Sequence, residues 1–152
     1  MKQPLSLREA SPSDERRLSD LRMAVMAEDF KRHGLEDSRA REYFHKNFIS
    51  SLTYVIEWEH TFVGCVAVKP AEGGDLLETF YIKPEFQGKG IGSEVLRFLI
   101  QKSYVKGKKL SLAVFQGSPA RQFYEKFGFQ IEQEDSFIAH LSLEYDESCD
   151  RY

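Results

Sequence analysis

Apolar residues recur at two periods along the chain, and the changes of period mark its elements. Leu5-Ser6-Leu7-Arg8 alternates, which predicts a short first strand. Ser11-Pro12-Ser13-Asp14 then reads as a helix start, with Ser11 as N-cap, Pro12 at the first helical position and Asp14 three residues after the cap. Leu18, Leu21 and Val25 share one helical face, and the helix stops near Gly34. A second helix follows Asp37-Ser38, with Ala40, Phe44 and Phe48 on one side. Thr53–Trp58 and Thr61–Val68 are β-rich runs joined by a polar turn at Glu59-His60, which predicts an antiparallel hairpin. The second run is apolar on both alternating faces, as in a central strand covered on both sides.

Ala71–Asp75 reads as a loop, and Leu76–Lys83 as a strand ended by Pro84. Ile91, Val95, Leu96, Leu99 and Ile100 then line one face of a helix with Gly107 just past its basic last turn. Leu110–Phe115 is another strand. Ser118-Pro119 opens a fourth helix with Ala120, Phe123, Tyr124 and Phe127 inward and Gly128 at its end. Phe129–Glu132 and Phe137–Leu143 close the pattern as two strands, ahead of a polar tail over 144–152. The order is β-α-α-β-β-β-α-β-α-β-β. It predicts one α/β domain over 1–152, with a mixed, largely antiparallel central sheet flanked by helices. The strand–helix–strand unit from Leu76 to Phe115 is expected to be a right-handed parallel crossover.

Composition narrows the function classes. The 152 residues are 41% hydrophobic and 30% charged, as in a soluble globular domain. With 21 basic against 24 acidic residues the net charge is −3, which gives no support to nucleic-acid binding. The two cysteines, Cys65 and Cys149, form no C-x-x-C motif, and the four histidines show no metal spacing, so no metal is expected. A Cys65–Cys149 disulfide has no support. No apolar run approaches membrane-spanning length and the N-terminus lacks a signal-peptide core, so the expectation is a cytoplasmic protein with no membrane partner.

The chemistry concentrates in Gln87-Gly88-Lys89-Gly90-Ile91-Gly92-Ser93, between a strand and a helix. Such a turn can present backbone N–H groups to an anion at the positive end of the helix dipole. A dinucleotide fingerprint would need a third glycine, but Ser93 and Val95 stand where it would fall. A nucleotide P-loop would need Gly-Lys-Ser/Thr after four spacers, which is absent. Alone, three alternating glycines also fit a tight turn with no ligand.

The loop resembles the signature of the GNAT N-acetyltransferases, Gln/Arg-x-x-Gly-x-Gly/Ala, which Gln87-Gly88-Lys89-Gly90-Ile91-Gly92 matches in full. A second family motif is Asn-x-x-Ala-x-x-Phe/Leu-Tyr-x-x-x-Gly-Phe. It is matched by Ala120, Phe123, Tyr124, Gly128 and Phe129, with Gly117 and Ser118 where the family carries Asn. Together the motifs cover residues 76–130.

The resemblance implies a set of expectations. Acetyl-CoA is the co-substrate, with its pyrophosphate on the backbone amides of Gln87, Gly88, Lys89, Gly90, Ile91, Gly92 and Ser93, and Ser118 partly standing in for the missing Asn. The pantetheine arm pairs with Phe80, Tyr81 and Ile82 as an added strand. Tyr124 donates a proton to the departing thiolate, although its helical register alone favours packing on the buried face. Glu78 is the candidate general base, since alternation puts it on the face of Phe80 and Ile82; the alternative is that it faces solvent or pairs with a lysine. The acceptor is a primary amine of a small molecule or peptide, received mainly by the first two helices and the late hairpin. A homodimer is open to this reading. Two competing readings are a non-catalytic acyl-CoA-binding or sensing domain and a nucleotide-binding module of another family.

Overall fold

The computed structural model describes residues 4–144. Its strands form a seven-stranded mixed sheet in the order β1-β2-β3-β4-β5-β7-β6. The β4–β5 pair is parallel, while β1–β2, β2–β3, β5–β7 and β6–β7 are antiparallel. The elements come in the expected order. By contact density the chain divides into two units, the first running to Val68 and adding Thr79–Val95, the second comprising Lys69–Glu78 and the chain from Leu96 on.

In the first unit, strand β1 (Leu5–Glu9) leads into a 3₁₀ turn, Pro12–Asp14, and helix α1 (Glu15–His33). The start is built as the sequence predicts: the Ser11 N–H donates to the Asp14 carboxylate at 2.9 Å. Arg8 and Arg17 donate to the same carboxylate, at 3.1 and 2.6 Å. The Arg8 guanidinium, then the Ser11 amide and Arg17, hold Asp14 well below the usual carboxylate range. Helix α1 stops where Gly34 turns left-handed at φ 68°, with Leu35 N–H closing back on the Phe30 carbonyl at 2.9 Å.

Helix α2 (Asp37–Asn47) buries Ala40 and Phe44, and Phe44 stacks on Phe48 with ring centroids 5.4 Å apart. Strand β2 (Thr53–Trp58) pairs with β3 (Thr61–Ala71) through Glu59 and His60, both at positive φ, so this hairpin turn is made without glycine. The core of this unit is Ala10, Leu18, Leu21, Phe44, Val55 and Cys65, with Val25, Phe48, Phe62 and Tyr81 packed against it. Burial pushes the Cys65 thiol up to about 12. The other cysteine, Cys149, and the tail from 145 lie outside the described residues.

The connection between β3 and β4 differs from expectation. Strand β3 continues through Pro70 to Ala71, and β4 (Gly74–Ile82) begins at Gly74, so the predicted five-residue loop shrinks to Glu72-Gly73. Gly73, at φ 77°, closes that turn by itself. Strand β4 also carries a kink at Thr79, which sits at φ 48°, a region a β-branched residue rarely adopts.

In the second unit, the parallel ladder joins Gly74–Leu76 of β4 to Lys109–Ser111 of β5 (Lys109–Phe115). Helix α3 (Ile91–Val105) supplies Leu96, Leu99 and Ile100 to buried positions and is followed by Gly107 at φ 66°. Strand β7 (Ile138–Leu143) lies between β5 and β6 (Gln130–Glu134) and sets Leu143 opposite Leu110 and Leu141 opposite Leu112, all four buried. Helix α4 (Ala120–Lys126) is short and begins one residue later than Ser118-Pro119 suggests, with Pro119 in the cap position.

Candidate functional site

The glycine turn is assembled from the end of β4, a 3₁₀ turn over Pro84–Phe86 and the start of α3, all in the first unit. Pro84 ends the strand because it has no N–H to donate. The Phe86 N–H returns to the Lys83 carbonyl at 2.8 Å and the Gln87 N–H to the Pro84 carbonyl at 3.2 Å. Gly88 and Gly90 then take φ of 76° and 84°. A side chain at either would meet no neighbour, so glycine is required by backbone conformation rather than by space. The first bond of α3 runs from Glu94 N–H to the Gly90 carbonyl at 3.0 Å. The N–H groups of Ile91, Gly92 and Ser93 therefore stand ahead of the helical ladder.

Gln87, Gly88, Lys89 and Gly90 are exposed, Gly92 and Ser93 half-buried, and Ile91 is anchored in the interior. The Lys89 ammonium sits 5.8 Å from the centre of the Phe86 ring. The Gln87 side-chain amide turns back and donates to the Ile82 carbonyl at 2.9 Å. This bond joins the turn to the strand before it, and the Gln side chain thus acts on the chain itself.

Phe80, Tyr81 and Ile82 are all half-buried. Behind Tyr81, strand β3 carries Gly64, where a methyl group would overlap the Tyr81 carbonyl. The Lys83 N–H donates to the Val63 carbonyl at 2.8 Å, which keeps the two strands close up to the turn.

Sequence reasoning missed Arg22. It falls among Leu18, Leu21 and Val25 on the inner face of α1, and the residue is buried, with a relative exposure of 7%. Its Nε–H donates to the Tyr81 hydroxyl at 3.3 Å and an Nη1–H to the Ala40 carbonyl at 2.8 Å. A charge written into an apolar stripe at helical spacing is the signal that points to it.

The remaining expected residues belong to the second unit. Glu78 forms an ion pair with Lys69 at 2.7 Å, which is the lysine-pairing alternative. The positive φ of Thr79 breaks the alternation along β4, so spacing does not put Glu78 on the face of Phe80 and Ile82. Tyr124 is buried, with Phe123 and Phe129 edge-on to it at 5.3 and 5.6 Å. The Ser118 hydroxyl accepts from the Ala120 N–H at 3.2 Å, a local bond just ahead of α4. Among the described residues no cluster of three His, Cys, Asp or Glu side chains is placed to hold a metal ion, and no helix is long and apolar enough to cross a membrane.

Comparison with known proteins bears on the family and the fold. The family model described as "Acetyltransferase (GNAT) domain" matches residues 50–131, more than half of the chain. The spermine/spermidine N(1)-acetyltransferase of Bacillus subtilis (strain 168) is 38% identical over 64 residues, and the same figures hold for a probable spermine N(1)-acetyltransferase of B. subtilis subsp. natto. These matches span 40% of this chain and only 42% of those relatives' length.

Among solved structures, the PaiA N-acetyltransferase of Thermoplasma acidophilum in complex with coenzyme A superposes with a TM-score of 0.68 at 22% identity, over 94% of this chain and all of that one. An acetyltransferase of Thermus thermophilus does so with a TM-score of 0.71 at 18% identity, over 91% and 96%. At such identities the superpositions speak for the fold. With the family model covering the glycine turn and the α4 motif, this chain belongs to the GNAT acetyltransferase family.

Proposed function

We propose that this chain is an acetyl-CoA-dependent N-acetyltransferase that acts on a primary amine by direct transfer. One observation carries the reading: the turn at Gly88 and Gly90 leaves the amides of Ile91, Gly92 and Ser93 ahead of the first α3 bond, next to the Lys89 charge. This arrangement fits a pyrophosphate, which needs several convergent N–H donors at a helix start. The Ile82 carbonyl is already used by Gln87, so the reading assigns the pantetheine arm to other backbone groups of Phe80–Ile82.

Bound acetyl-CoA would supply an acetyl group activated as a thioester. The chain's part is then positioning and proton movement. The amine must lose a proton before it attacks, because a free alkylammonium has a pKa near ~10.4. Glu78 is the proposed acceptor of that proton, a role that requires its carboxylate to leave the ion pair with Lys69. Tyr124 is the proposed donor to the thiolate; its aromatic neighbours Phe123 and Phe129 hold the ring. The acceptor is a small molecule or peptide amine. The free, buried thiol of Cys65 suits work in a reducing cytoplasm.

Thiol release from acetyl-CoA over a panel of primary amines tests the reading. Turnover with at least one amine supports it. Tight acetyl-CoA binding with no amine acetylated would favour a sensing domain instead, an outcome to which Ser118 in the place of Asn lends some weight.

A further inference from the structure

Arg22 is a buried cation with no counter-ion among the described residues. Its polar partners are neutral, the Tyr81 hydroxyl and the Ala40 carbonyl. Its guanidinium carbon lies over the Phe30 ring, 4.8 Å from the centre, and over the Tyr43 ring at 5.3 Å. The nearby buried acid on the same helix, Asp29, is taken by Arg32 at 2.6 Å. Among the described residues no carboxylate pairs with Arg22. Burying a charge without a partner of opposite sign is costly, and proteins rarely do it without a reason.

The guanidinium also retains capacity to bind. Arginine presents five N–H donors in a planar fork. Here the Nε–H and one Nη1–H are spent on neutral partners, and among the described residues nothing accepts from the Nη2 amino group. Among the described residues no fully buried side-chain polar atom lacks a partner. Tyr43, whose ring lies 5.3 Å from the guanidinium carbon, is 54% exposed, so the guanidinium lies near the molecular surface. The base beneath is Tyr81, in the part of β4 that runs into the glycine turn.

We infer that Arg22 is the recognition group for a carboxylate carried by the acceptor amine, so that the preferred acceptors are amino acids or peptides with a carboxylate near the amine rather than polyamines. The inference rests on the acetyltransferase reading above for its link to catalysis, but not for binding. Aromatic faces and two fixed hydrogen bonds hold the fork still before a ligand arrives, which lowers the ordering cost of binding. Charge-assisted bonds from guanidinium to carboxylate are the strong class of hydrogen bond. A polycation approaching the same group would meet a like charge instead.

The test compares L-amino acids with the corresponding amino acid amides, and with spermine. In acetylation assays the wild-type kcat/KM is expected to favour the free acids over the amides by about tenfold or more. Arg22→Met should lower kcat/KM for the acids about 10- to 100-fold, through KM, and leave the amides within about threefold. Arg22→Lys should fall between, since it keeps the charge and loses the fork. Circular dichroism on both variants separates a folding defect from a lost contact.

A second arm does not depend on turnover: calorimetric titration of the same acids and amides into protein saturated with coenzyme A. The acids should bind wild type more tightly than Arg22→Met by a similar factor. If no amine is acetylated yet this preference holds, the catalytic reading fails and the carboxylate site stands. An equal loss on acids and amides in both arms would make Arg22 a strut and overturn the inference. So would a wild-type protein that ignores the carboxylate or prefers spermine.

Discussion

The side-chain amide of Gln87 donates to the backbone carbonyl of Ile82 at 2.9 Å, so the residue that opens the glycine turn is fastened to the last residue of the preceding strand. The bond is exposed and modest in energy, about 0.5–1.5 kcal/mol net. Its value is geometric, because it fixes where the turn leaves the strand. Gln87→Ala should therefore raise the KM for acetyl-CoA by about 3- to 10-fold and leave kcat nearly unchanged. Gln87→Glu should do worse, since it sets a carboxylate against a carbonyl. Steady-state kinetics at varied acetyl-CoA would read both effects.

Gly88 and Gly90 hold left-handed backbone with open space around them. Replacement by Ala then costs backbone strain only, roughly 1–2 kcal/mol. Asn tolerates this region better than most residues, so Gly88→Asn should retain more acetyl-CoA affinity than Gly88→Val. An equal loss in the two variants would mean that crowding, not conformation, is the constraint. Calorimetric titration of acetyl-CoA into each variant makes the comparison.

Asp14 links β1 to the start of α1 through Arg8, Ser11 and Arg17. Its folded pKa lies far below the ordinary 3.8, so its contribution is present above that value and is lost as pH falls towards the folded pKa. Asp14→Ala should destabilise the protein by about 1–3 kcal/mol near neutral pH, with the gap to wild type shrinking at about pH 3 and below. Urea unfolding at several pH values measures it. A gap that stays constant over that range would remove the carboxylate from the account.

Tyr124→Phe keeps a ring between Phe123 and Phe129 and removes only the hydroxyl. Stability should change by less than about 1 kcal/mol, while kcat falls about 100-fold and the alkaline limb of the pH profile shifts. Unaltered turnover and an unaltered profile would assign the ring to packing.

Much of this architecture is legible in the sequence because burial follows period. Leu18, Leu21 and Val25, Ala40 and Phe44, and Ile91 to Ile100 all read as helical stripes, and the structure turns them inward. The glycine turn is legible because Gly is the residue that accepts φ near 80° at low cost. Thr79 is not: a β-branched residue at φ 48° has no signature in a strand of apolar residues, and it undoes the alternation on which the case for Glu78 rests. Arg22 escapes for a related reason. A search for apolar positions passes over the one charge in the stripe, and only tertiary contacts reveal that Phe30, Tyr43, Ala40 and Tyr81 enclose it. Pro70 hides the end of β3 in the same way, since proline usually argues against a strand interior.

The central claim is that the turn at Gly88–Ser93 holds acetyl-CoA for transfer to an amine. Mass spectrometry of an amine panel incubated with the protein and acetyl-CoA tests it most directly. The account predicts at least one primary amine gaining a single acetyl group, with release of one free thiol per product and loss of both signals in a Gly88→Val, Gly90→Val double variant. No acetylated amine in any reaction, or product formed equally by the double variant, would contradict it.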